Sequence, residues 1–162
     1  MPGPLADGLS LLAVAFASAL VPLVNIEAYL GVRGAVSAGS TAERLLLLGL
    51  VAALGQMIGK LVWYRLGASS LRWRWVRRRL ENPSAQARLV RWRGRTSQRP
   101  VLAGVLVFGS AFSGFPPFAI LAVVAGQLGM SVVAFFTLGL LGRWLRFSAV
   151  LGGAGWLASL LG

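Results

Sequence analysis

The chain has 162 residues, 57% of them hydrophobic and 12% charged, and sixteen Lys/Arg against four Asp/Glu leave a formal charge of +12. A mean hydropathy of +0.75 and an uncharged run from Pro100 to Gly142 exclude an ordinary soluble domain, whose surface needs interspersed charge. With neither Cys nor His, a disulfide scaffold, a thiolate nucleophile, a Cys/His zinc site and a histidine general base are excluded as well.

In chain order the apolar runs are Leu9 to Val21, Leu23 to Val36 with Glu27 and Arg33 inside it, Leu45 to Leu66, Val101 to Phe115, Phe118 to Gly129, and Ser131 to the C-terminus. Crossing a hydrocarbon core of ~30 Å takes about 20 helical residues, so the third and sixth runs are long enough and the other four are short. The short runs pair up around prolines, Pro22 in the first pair and Pro116-Pro117 in the second. That spacing predicts two re-entrant helical hairpins, since proline ends a helix and lipid tolerates a turn only where protein or water satisfies the freed backbone. Gly126 is read as part of the second hairpin's geometry. The sixth run is too long for one straight span and is expected to break near Gly152-Gly153. Ala17-Ser18-Ala19 imitates a leader cleavage site, but Asp7 precedes it, Lys and Arg do not, and apolar sequence continues beyond, so the segment is read as part of the membrane domain.

An internal echo supports the pairing. Phe16-Ala17-Ser18-Ala19 precedes Pro22 as Phe108-Gly109-Ser110-Ala111 precedes Pro116, and Leu54-Gly55 with Gly59-Lys60 is followed by Tyr64 as Leu138-Gly139 with Gly142-Arg143 is followed by Phe147. The expected architecture is an all-α integral membrane protein in one domain, residues 1–162, built as an inverted repeat. Residues 8–66 form the first repeat, 67–99 a basic loop, and 100–162 the second repeat. Gly55 with Gly59, and Gly139 with Gly142, give small-residue faces for close helix packing, and they permit a homodimer.

From Arg65 to Arg99 there are eleven arginines and one acid, Glu81, so this segment holds ten of the twelve net charges. Trp73, Trp75 and Trp92 are interleaved with them. Apolar runs on both flanks favour a cytoplasmic loop lying on anionic lipid over a nucleic-acid patch. Trp73, Val76 and Leu80 recur at helical spacing, as do Ala85, Leu89 and Trp92, which predicts two short interfacial helices separated at Asn82-Pro83.

Within the apolar runs five ionisable residues stand out: Glu27, Arg33, Lys60, Arg143 and Arg146. Charge at membrane depth costs about 2.5–3.5 kcal/mol even on the lenient scale, so such residues pair, face a wet cavity or serve function. Arg33 and Arg65 are expected to snorkel to an interface. Glu27, Lys60, Arg143 and Arg146 are the candidate transport and substrate residues, with Glu27 meeting Lys60 or Arg143 if the hairpin tips converge. Metal, cofactor and enzymatic roles find no constellation, because the remaining acids, Asp7, Glu43 and Glu81, lie outside the expected core.

The order Pro22 and Glu27, Gly55-x-x-x-Gly59-Lys60 with Tyr64 and Gly67, then Phe115-Pro116-Pro117 leading to Ala125-Gly126 and Met130, then Phe135 and Gly142, resembles the DedA/VTT-domain family, also called SNARE-associated Golgi proteins. The resemblance covers Leu12 to Phe147. It implies two re-entrant hairpins and movement of phospholipids or polyprenyl phosphate lipids between leaflets, in some members coupled to protons. By position Glu27 matches the acid of the family's first re-entrant loop and Pro22 its preceding proline. The chain departs where many members carry an acid after the second glycine, here Lys60, and where they carry an arginine near Phe118. The expected function is therefore a lipid translocase or scramblase for an anionic headgroup in a bacterial inner membrane, with membrane lipids as partners and residues 67–99 cytoplasmic. A proton-coupled exporter of small solutes or cations using Glu27, and a non-transporting scaffold acting through the basic loop, are the alternatives.

Overall fold

A computed structural model describes residues 4–21, 25–36, 40–71, 83–84, 86–87, 90–91, 94 and 100–161. Six helices are seen there: α1 Pro4–Leu20, α2 Ile26–Val36, α3 Ala42–Ser70, α4 Pro100–Ser113, α5 Phe118–Leu128 and α6 Val132–Leu161. Proline opens α1 and α4, where the missing N–H is one of the helix's unpaired donors anyway. Asn25 caps α2, its Oδ1 accepting the N–H of Glu27 at 2.9 Å and of Ala28 at 3.3 Å.

The second break is built from serines as well as prolines. The Ser110 hydroxyl donates to the Pro116 carbonyl at 2.6 Å, and that of Ser113 to the carbonyls of Gly109 at 2.7 Å and Phe115 at 2.9 Å. Gly114, at φ 82°, turns the chain in a region that side chains with a Cβ avoid. Pro117 then stands at the N-cap of α5. At the other end of α5, Gly129 takes the left-handed conformation and its N–H bonds the Gly126 carbonyl at 3.2 Å, while the N–H of Met130 reaches Ala125 at 3.0 Å. That double closure is a Schellman motif. Pro22 lies outside the described residues, as do Trp73, Val76, Leu80, Asn82, Ala85, Leu89 and Trp92. Of the second interfacial helix, residues 83–84, 86–87, 90–91 and 94 are helical.

At 29 and 30 residues, α3 and α6 extend about 44 and 45 Å, and both are long and apolar enough to cross a membrane. At 14 and 11 residues, α4 and α5 reach about 21 and 16 Å, too short to cross one alone. The break expected at Gly152-Gly153 does not occur, and α6 runs through both residues. Glycine costs about 1 kcal/mol in a helix interior but leaves its N–H in the ladder, so without proline the helix continues.

The chain resolves into two units: residues 1–59 with 140–162, and residues 60–139. The repeats of the sequence and these units divide the chain differently, because α3 and α6 each supply residues to both. In the first unit Leu11, Ala15, Ile26, Leu30, Ala52, Ala53, Phe147 and Leu151 form the core. Close approach is set by glycine. A Cβ on Gly55 would lie 2.5 Å from the Leu12 carbonyl and one on Gly59 2.5 Å from the Ala19 Cβ, so α1 packs directly on the backbone of α3, the small-residue face read from the sequence.

In the second unit Phe135 is fully buried between Tyr64, at 5.2 Å between ring centroids, and Phe118, at 5.6 Å. The Tyr64 hydroxyl donates to the Met130 carbonyl, joining α3 to the end of α5. Gly126 is not a turn residue. It sits within α5, where a Cβ would overlap the Tyr64 carbonyl, so it lets α5 pack on the backbone of α3. The small-residue pattern of an apolar sequence marks turns and contacts alike, and only the fold separates them. Gly139 and Gly142 are buried, one in each unit.

Candidate functional site

The Asn25 cap fixes the start of α2 and places Glu27 in its first turn, where a carboxylate is favoured by the helix dipole. Its two oxygens are gripped by Arg146 of α6: Nε donates to Oε1 at 2.6 Å and Nη2 to Oε2 at 2.8 Å. This is the two-pronged arrangement that a guanidinium forms with a carboxylate or a phosphate. The pair is partly wet, with side-chain exposures of 23% for Arg146 and 34% for Glu27. Arg143, one turn back on α6, is buried, stands 5.7 Å from the Phe147 ring centroid, and lies within electrostatic range of both Glu27 and Arg146. Desolvated cations over aromatic rings gain on the order of 2 kcal/mol, which offsets part of the cost of burying Arg143.

Lys60 or Arg143 was the partner expected for Glu27; Arg143 is a neighbour, and the direct bond is made by Arg146, which was not expected to make it. The reason is helical geometry: Arg143 and Arg146 are three residues apart and share a face of α6, so both turn toward α2. Lys60 is buried and belongs to the second unit.

Arg33 has partners of its own. It pairs with Asp7 of α1 and donates to the Tyr29 hydroxyl at 3.1 Å, so α2 carries an ion pair near each end. The sequence did hold a signal for this pair. Asp7 and Arg33 lie well away from the Pro22 break on opposite sides, and a chain that doubles back there returns one toward the other.

Buried uncharged polar groups complete the picture, and sequence reasoning had passed over them. In the first unit Gln56 donates from Nε2 to the Ser18 hydroxyl at 2.7 Å, which donates in turn to the Ala15 carbonyl at 2.7 Å. The Gln56 Oε1 atom is buried without a hydrogen-bond partner. In the second unit Gln127 donates to the Ser70 hydroxyl at 3.1 Å, and Ser70 to the Gly67 carbonyl at 2.7 Å. Ser18 stands inside the repeated Phe-x-Ser-Ala motif, and a glutamine in an apolar helix is itself an anomaly, so both could have been found.

Among the described residues the secondary structure is helical, with two membrane-length apolar helices, shorter apolar helices and charges held in ion pairs, which suits a membrane protein. The VTT domain family model matches residues 21–155, and the chain belongs to that family, the DedA/VTT proteins. No curated protein and no solved structure matches it.

Proposed function

We propose that this chain is a lipid translocase that carries an anionic headgroup through the membrane at the Glu27, Arg143 and Arg146 cluster while the acyl chains stay in the bilayer. The observation that carries the reading is the Arg146 fork on Glu27 with the buried Arg143 beside it, among apolar helices. Guanidinium groups hold phosphate with paired hydrogen bonds, and a carboxylate already seated on one of them competes with the headgroup and eases its release. Such a device suits repeated binding and letting go rather than a bond-making step, so we read the protein as a transporter and not an enzyme.

The paired short helices suit two re-entrant hairpins. Each unit contains one such pair with part of each long helix, which suits an inverted repeat. Lys60, buried in the second unit, is read as a further phosphate contact. The basic segment 67–99 lies on the cytoplasmic face of a bacterial inner membrane, held by anionic phospholipid.

The test is exchange of a fluorescent phospholipid between leaflets of liposomes containing the purified chain, beside Glu27→Gln. Exchange that depends on the protein and is lost in the variant is the expected result. Exchange equal to that of empty liposomes, with the protein inserted and helical, would remove the translocase reading and bring forward the exporter.

A further inference from the structure

The helices α1 and α2 are fastened to each other and to α6 more completely than to α3. Asp7 near the start of α1 is bonded to Arg33 near the end of α2, which clasps the pair at the positions remote in sequence from Pro22. α2 meets α6 at two places: the Arg146 fork grips Glu27, and a Cβ on Gly34 would lie 2.5 Å from the Leu151 carbonyl, so backbone rests on backbone there. The seam of α1 with α3 runs along Gly55 and Gly59, opposite Leu12, Ala15, Phe16 and Ala19. Glycine and alanine bring these helices close with little interlocking of side chains.

A polar pair in that seam is incompletely satisfied. Gln56 donates from Nε2 to the Ser18 hydroxyl at 2.7 Å, but its Oε1 is buried without a hydrogen-bond partner in a residue only 4% exposed. Such an acceptor has lost its water and gained no bond, so the packed seam is penalised at this point. Ser18 is not penalised in the same way, because its hydroxyl donates to the Ala15 carbonyl at 2.7 Å.

We propose that the α1–α2 pair is a lever: clasped by Asp7 and Arg33 it moves as one body, hinged on α6 at Glu27 and Gly34, and it lifts from α3 far enough for water to reach Gln56. The unpaired Oε1 sets the balance, since it disfavours the docked arrangement and is hydrated in the lifted one. Both arrangements are therefore populated. The lever does not depend on the headgroup reading, because these elements would move in the same way around another cargo or none.

The experiment measures distances between pairs of spin labels on the full-length protein in liposomes. The chain has no cysteine of its own, so an introduced pair reports alone. Ala17→Cys with Val32→Cys spans the α1–α2 pair, and Val32→Cys with Leu47→Cys joins it to α3; all three positions are exposed. The first pair is expected to give one distance in the wild type and in every variant, which also reports that the two helices remain folded together. The second is expected to give a short and a long distance. Gln56→Leu removes the unpaired acceptor and leaves Ser18 bonded to Ala15, so it should lower the long-distance population several-fold. Ser18→Ala strands the amide nitrogen as well and should raise it several-fold. A single α2–α3 distance in the wild type, or a shift in the same direction in both variants, overturns the lever. So does a first pair that broadens as the second lengthens, since α1 and α2 would then move separately.

Discussion

Glu27 and Arg146 are each more than a fifth exposed, which places their pair between two regimes. Exposed pairs contribute about 0.2–1 kcal/mol, whereas breaking a buried pair costs about 3–5 kcal/mol, mostly by stranding the charge left behind. Arg146→Ala should therefore destabilise the protein by roughly 1–3 kcal/mol, read as a lower unfolding temperature in detergent. The double variant Glu27→Gln with Arg146→Gln should recover most of that loss and still fail to exchange lipid. A double variant no more stable than Arg146→Ala would mean that the fork contributes geometry rather than charge compensation. The same logic applies to Gln56, whose Oε1 is already buried without a partner. Ser18→Ala strands its amide nitrogen too and should cost about 1–3 kcal/mol, whereas adding Gln56→Leu removes the whole polar pair and should restore stability. Charge made part of this site legible in the sequence, because Glu27, Lys60, Arg143 and Arg146 are anomalies in apolar runs. The bond from Glu27 to Arg146 was not legible, since it joins residues of different helices and depends on helix rotation, which a weakly amphipathic membrane segment does not record.

Helix boundaries were legible where prolines and caps punctuate the chain. Pro100, Pro117 and Asn25 all stand at helix starts, and the two long apolar runs became α3 and α6. What the glycines do was harder to read, because the same residue serves a turn at Gly114, a cap at Gly129, a contact at Gly126 and open helix at Gly153. These environments predict opposite signs for one chemical change. Gly126→Ala puts a methyl group into the Tyr64 carbonyl on the neighbouring helix, and overpacking of this kind costs about 1–3 kcal/mol. Gly153→Ala meets nothing within 4 Å in the middle of α6 and should gain up to ~1 kcal/mol from helix propensity alone. Thermal unfolding of the two variants side by side checks both signs. A stabilising Gly126→Ala would show that α5 does not rest on the backbone of α3, and a destabilising Gly153→Ala would show that α6 bends there.

At the scale of the whole molecule the two units share a plan but not a chemistry. Asp7, Glu27, Arg33, Arg143 and Arg146 all belong to the first, while the second centres on the Tyr64, Phe135 and Phe118 rings beside its buried Lys60 and its Ser70–Gln127 pair. If the plan is an inverted repeat with re-entrant pairs, both ends of the α4–α5 pair must lie on one side of the membrane, and it must be the side of the basic segment. The absence of cysteine allows single introduced thiols to report this directly. Gln86, Val101 and Ser131 are all exposed, in the basic segment, at the start of α4 and just before α6. With a membrane-impermeant maleimide, Gln86→Cys, Val101→Cys and Ser131→Cys should all label from the cytoplasmic face and be protected from the other. The eleven arginines between Arg65 and Arg99 set that face, because short loops rich in Lys/Arg are retained inside. Label reaching Ser131→Cys from the opposite face to Val101→Cys would mean that α4 and α5, about 37 Å of helix if laid end to end, cross together as one span. The two repeats would then run in parallel, and the translocase reading would lose the paired hairpins that bring its site to the membrane interior.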